Sequence, residues 1–236
     1  MYHGWQRQVN QISVQETIEK ALSVILREDI SVVGCGRTDT GVHASQFFLH
    51  FDSDQSLDKE KLKFRLNSFL PKDIAIFRML KVKDDAHARF DAVSRSYEYR
   101  ISLEKNVFNV DTTLQLNDEN IDLEKMNEAA GLLLKYKDFK CFSRSNTDVK
   151  TYECAVTEAV WKQEGNLLVF YIKANRFLRN MVRAVVGTLL EVGQEKKSLE
   201  EFIKVIESRD RTKAGASVKA RGLFLTRVDY PKEIFN

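Results

Sequence analysis

One aspartate stands where an acid could do chemistry. It lies in the run GCGRTDTGVH at 34–43, where Gly34, Gly36 and Gly41 surround Arg37 and Asp39. Glycine accepts positive φ and close backbone approach, so three of the chain's ten glycines within eight positions describe a tight, shaped loop. A carboxylate on such a loop is either a turn residue capping nearby N–H groups or a working group, a nucleophile or base. The working role calls for a rigid loop after a strand and a cation that holds the acid ionised. The spacing matches neither GxGxxG nor GxxxxGK[ST], which counts against a phosphate cradle. Four scattered histidines give no Ser/His/Asp arrangement. The residues alone therefore leave an acid-dependent enzyme and an RNA-binding domain both open.

Other elements must hold that loop. Ser13 and Glu16 have capping-box spacing, and Val14, Ile18, Leu22, Ile25 and Leu26 recur at helical spacing, so 14–28 reads as an amphipathic helix. ISVV at 30–33 reads as a strand running into the glycine loop, and QFFLHF at 46–51 alternates as a second strand. A helix over about 58–70 is expected to bury Leu62, Leu66 and Phe69 before Pro71 stops it, and IAIFRML then resumes extended chain. Residues 84–92 break the periodicity. This places one boundary there, with residues 1–84 as an N-terminal half carrying the GRTD loop and residues 85–236 as a C-terminal half. In that second half SRSYEYRIS at 94–102 alternates, with Tyr97, Tyr99 and Ile101 on one face. A helix over about 121–135 precedes a hairpin turning at Glu164-Gly165-Asn166. At about 100° per residue, a helix over 176–191 gathers Phe177, Leu178, Met181, Val182, Val185 and Leu189, with Arg176, Arg179 and Arg183 in a stripe about 60° wide opposite them. Ser198 and Glu201 open another helix, and LFLTRVDY closes the chain as a strand. Two α+β halves with mainly antiparallel sheet fit this order.

The totals exclude several classes. At 236 residues, with 43% hydrophobic and 30% charged residues, the chain has the composition of a soluble globular protein. A net charge of +3 is compatible with a polyanionic partner. Cys35, Cys141 and Cys154 lie far apart, without zinc or disulfide spacing, which suits a reducing cytoplasm. MYHGWQRQ has no apolar signal region, and AVVGTLL at 184–190 is too short to cross a bilayer.

GRTDTGVHA at 36–44 resembles the signature of the TruA-type pseudouridine synthases. The resemblance runs in order through GWQRQ at 4–8, LPKDIAI at 70–76, HARFDA at 87–92, RSYEYRI at 95–101 and DFKCFSR at 138–144. It continues through IKANRFLRNMVRAVVGTLLEVG at 172–193 and DRTKAGASVKARGLFLTRVDY to the end, with NTDVKTY at 146–152 matching loosely. Asn180 stands where some members have histidine. Members normally carry a further strand and a YDG-like turn before the GWQ segment, so the resemblance leads to the expectation of a misassigned start or a truncated chain.

The resemblance implies two RNA-recognition-like (ferredoxin-like) halves whose sheets join around a central basic cleft, usually in a homodimer, in a cytoplasmic enzyme. It implies isomerisation of uridine to pseudouridine in the tRNA anticodon stem-loop, at tRNA nucleotides 38 to 40, with neither cofactor nor metal required. By motif match Asp39 resembles the nucleophile and Arg183 the arginine that partners it. Arg37 resembles the residue that helps extrude the target nucleotide, and Tyr97 the aromatic against the uracil. Phe177 and His43 are further substrate-side candidates, His43 more as a brace than a proton carrier. A silent RNA-binding or chaperone protein of the same fold is the alternative, and an unrelated acid-dependent hydrolase lacks a second matched carboxylate.

Overall fold

The computed structural model describes residues 2–116, 120–144 and 149–235. Its regular elements begin with α1 (Val14–Leu26), β1 (Val33–Gly34), β2 (His43–Ala44), β3 (Leu49–His50) and α2 (Lys59–Phe69). They continue with β4 (Ser94–Ser102), β5 (Leu114–Gln115), α3 (Leu123–Leu132), β6 (Val156–Glu164) and β7 (Leu167–Ala174), then α4 (Met181–Gly193), α5 (Leu199–Ser208) and β8 (Leu223–Asp229). Short 3₁₀ turns join several of them. The fold is α+β with a mixed sheet. No helix among the described residues is long and apolar enough to cross a membrane.

The chain forms two compact units. The first comprises residues 1–41, 47–93 and 229–236, and the second residues 42–46 and 94–228. The boundary expected near 84 falls inside the first unit. The signature itself is divided: Arg37 and Asp39 pack with the first unit, His43 with the second.

In the first unit, Ser13 accepts from the Glu16 N–H to start α1, and Arg27 ends it in the left-handed region at φ 56°. Asp58 caps α2. The two helices pack through Ile18, Leu22, Ile25, Leu62 and Leu66, with Trp5, Ile30, Val32 and Leu70 completing a small core. Burying side chains such as Leu22 and Leu66 contributes about 1.5–3 kcal/mol each. Phe69 was expected in that core and is instead 51% exposed. Leu62 and Leu66 point inward, and Leu70, the extended residue just past the helix end, fills the core in place of Phe69. β1 and β3 pair antiparallel over two residues each, shorter than the expected strands, and residues 74–80, expected to be extended, form no strand.

The second unit holds a six-stranded sheet in the order β2-β8-β4-β7-β6, with β5 added on β4. β4, β7 and β6 pair antiparallel in that order over most of their length, while the short β2 and β5 pair parallel with β8 and β4. The hairpin turns at Gly165, φ 60°, as expected from the sequence. Tyr99 and Ile101 are fully buried on the β4 face predicted to be apolar. Helix α4 is buried at every position but Arg183 and Glu191, so it is a core helix rather than a surface one. It starts at Met181, later than the periodicity implies. The Asn175 side-chain oxygen accepts from the Ala155 and Arg176 N–H groups, and Asn180 adopts φ 66°. Phe177 and Leu178 thus pack from a loop, and Arg176 and Arg179 do not form a helical stripe with Arg183. On α5 the Ser198–Glu201 capping box is complete. Of the loosely matching stretch, residues 146–148 lie outside the described residues.

Candidate active site

In the first unit the Asp39 loop rests on residues far upstream. Trp5 N–H donates to the Thr38 carbonyl at 3.2 Å, and Cys35 N–H donates to that of Phe48 at 2.8 Å. Gly4 has φ 84°, and a Cβ there would stand 2.4 Å from the Thr38 oxygen and 3.1 Å from the Asp39 carbonyl carbon. A Cβ on Gly34 would meet the Trp5 ring at about 2.5 Å. Gly4 and Trp5 are in turn tied to the start of α1, accepting from Val14 and Gln15 N–H groups at 3.3 and 3.0 Å. Trp5 is 6% exposed and packs against Phe47, with ring centroids 4.1 Å apart. The loop is therefore clamped from behind by a buried tryptophan and a glycine with no room for a side chain. Gly41, φ 80°, turns the chain away after Thr40. Asp39 is half-buried and Arg37 exposed. The glycine signature was legible in the sequence. Gly4 was legible only as part of a motif, because its partner lies more than thirty residues on.

In the second unit β4 carries Tyr97, opposite Ile172 in β7. Its ring meets that of Phe177 edge-on, with centroids 5.1 Å apart at 88°. These two candidates thus form one aromatic corner. Arg183 lies on the first turns of α4, where its Nε donates to the Val218 carbonyl at 2.7 Å and its own carbonyl accepts from Val218 N–H at 3.2 Å. The next residue, Lys219, offers its carbonyl to the Tyr99 hydroxyl at 2.7 Å. Burial pushes the pKa of that hydroxyl up, with Arg183 and Arg221 pulling it down. Segment 218–219 therefore links the Tyr97 strand to the Arg183 helix. Periodicity gave no sign of it, because it is irregular backbone whose role lies in its carbonyls.

His43, on β2, stacks on Phe224 with centroids 4.7 Å apart at 20°. Its Nε2 lies 3.0 Å from the Asp111 carbonyl, which can only accept, so the ring donates there. Arg100 covers Phe224 at 4.0 Å. These contacts tie His43 to the Asp111 carbonyl and the Phe224 ring. Among the described residues, the thiols of Cys35, Cys141 and Cys154 are buried and not joined in disulfides.

A family model described as tRNA pseudouridine synthase matches residues 2–91 and 129–231. The tRNA pseudouridine synthase A of Bacteroides thetaiotaomicron is 52% identical over 238 residues, covering 100% of this chain and 88% of its own length. The protein of that name from Bacteroides fragilis is 51% identical, over 99% of this chain and 93% of its own. One from Clostridium acetobutylicum is 40% identical, over 97% and 94%.

Proposed function

Because this chain belongs to the tRNA pseudouridine synthase family, we propose that it isomerises uridine to pseudouridine in the tRNA anticodon stem-loop, at tRNA nucleotides 38 to 40. The C1′–N1 bond breaks, the base turns, and C1′ rejoins at C5, whose hydrogen leaves as a proton while N1 takes one up. No atom is gained. The Asp39 carboxylate is the nucleophile in this reading, and Arg183 is its cationic partner in catalysis. Tyr97, with Phe177 at its edge, offers the flat apolar surface on which an everted uracil rests, where stacking is worth about 1–3 kcal/mol. Exposed Arg37 suits extrusion, since a guanidinium can fill a vacated stack and still reach phosphates. Taking a base out of a helical stem costs a few kcal/mol, which these contacts offset. The enzyme works in the cytoplasm as a homodimer in this reading.

The observation that supports this most is the Asp39 loop clamped on Gly4 and Trp5, which holds the backbone that carries the carboxylate before substrate arrives. A tritium-release assay on tRNA bearing 5-tritiated uridine tests it, because rejoining through C5 expels that hydrogen. Release that grows with enzyme and depends on an anticodon stem-loop uridine is expected. Binding of tRNA without release would leave only an RNA-binding protein.

A further inference from the structure

Arg183 is held by irregular backbone. Its Nε donates to the Val218 carbonyl at 2.7 Å, at the end of a segment, 214–218, that belongs to no helix or strand. Gly215 in that segment is buried, and buried backbone outside a ladder must find its hydrogen-bond partners elsewhere. Helix α4 supplies some of them at close range. Gly215 N–H donates to Thr188 Oγ1 at 2.9 Å, and a Cβ on Gly187 would stand 1.8 Å from the Ala216 oxygen. Arg211 supplies others. Its Nη1 donates to the carbonyls of Ala214 at 3.3 Å and Gly215 at 3.1 Å, and its Nη2 donates to Ser217 Oγ at 2.9 Å. Asn180 Nδ2, at the start of α4, donates to the same hydroxyl oxygen. Arg211 is itself set by a single 3₁₀ turn over Arg211–Lys213, where Asp210 Oδ1 accepts from the Thr212 N–H at 2.9 Å and from its hydroxyl at 2.8 Å. All of these residues lie in the second unit.

The three acceptors of Arg211 are neutral oxygens spread over four residues. A guanidinium meets them with N–H groups in one rigid plane, whereas an ammonium is a compact charge on a flexible stem. The planar fork therefore sets the course of 214–217 in a way that a lysine does not. We propose that Arg211 is a positioning residue for the isomerisation: it shapes this segment so that Val218 holds the Arg183 guanidinium in its working place. It acts through Arg183 rather than on the reacting base.

The inference rests on the catalytic role proposed for Arg183, and a double-mutant cycle tells the two apart. Arg183→Lys, Arg211→Lys and their combination are made in the full chain. Ser217→Ala, alone and with Arg183→Lys, is a milder change that spares the two carbonyl contacts. Single-turnover tritium release, filter binding of tRNA and thermal melting are measured on each, with release read well below the lowest melting temperature. Arg211→Lys is expected to slow release roughly 10- to 100-fold, the scale of a reacting group displaced by about 1 Å, with tRNA affinity near wild type. Ser217→Ala should slow it less. In the Arg183→Lys background both changes should have little further effect, because residues that act through one another are not additive. An arginine that only stabilised the fold would lower the melting temperature and leave release from folded protein intact. Wild-type release in Arg211→Lys, or the same loss in both backgrounds, would overturn the proposal while leaving Arg183 in its role. If Arg211→Lys does not fold, those outcomes are read from Ser217→Ala. Wild-type release in Arg183→Lys would overturn the role of Arg183 and the proposal with it.

Discussion

Gly4 and Gly36 look alike in the sequence and behave differently around Asp39. At Gly4 a Cβ would press on the Thr38 oxygen at 2.4 Å, and φ 84° disfavours any side chain. Gly4→Ala should lower stability by about 1–3 kcal/mol and reduce tritium release more than tRNA binding, because the loop that carries the carboxylate must shift. A Cβ on Gly36 would meet nothing within 4 Å, so Gly36→Ala should melt at the wild-type temperature by circular dichroism. His50 supplies a pH prediction in the same unit. Its Nδ1 accepts from Ala88 N–H at 3.0 Å, which requires an unprotonated nitrogen. Burial, then His87, lowers its pKa from 6.5, with Asp52 and Asp91 acting the other way. The unfolded chain therefore takes up that proton first. The stabilisation is present above about pH 6.5 and is lost as pH falls through the lowered folded value. Urea midpoints of wild type should decline over that interval more than those of His50→Gln; parallel curves would contradict the assignment.

Elements legible in the sequence were those whose own periodicity decides them. β4 and the β6–β7 hairpin are long enough for alternation to fix both face and turn, and the Ser198–Glu201 box marks the start of α5 by local chemistry alone. Where tertiary contacts decide, the pattern misled. Phe177 and Leu178 carry the α4 phase, yet Asn175 ties the Arg176 N–H to the Ala155 segment and Asn180 takes φ 66°, so the helix begins at Met181. The two-residue strands β2 and β5 exist only through pairing with β8 and β4, which no local run announces. The same dependence yields a prediction for α4. A Cβ on Gly187 would lie 1.8 Å from the Ala216 carbonyl oxygen, and the segment beginning there holds Arg183 through Val218. Gly187→Ala should therefore cost about 1–3 kcal/mol and lower turnover together with the melting temperature. Full turnover in a protein that melts early would separate the segment from catalysis.

At the scale of the molecule, the net charge of +3 is modest for a protein that handles a polyanion, so basic groups must be concentrated where tRNA lies. Affinity for tRNA should fall on the order of tenfold or more between about 50 and 200 mM salt if several phosphates are neutralised. A flat salt series would contradict phosphate contacts. The chain's passage into the second unit at 42–46, immediately after the Asp39 loop, was not readable from composition, since no proline or low-complexity linker marks it. Every part of this reading depends on Asp39, and single-turnover tritium release by Asp39→Asn, run beside tRNA binding by the same preparation, tests it most directly. The account predicts binding close to wild type with release lowered by at least about 10³-fold. Release at the wild-type rate would contradict it.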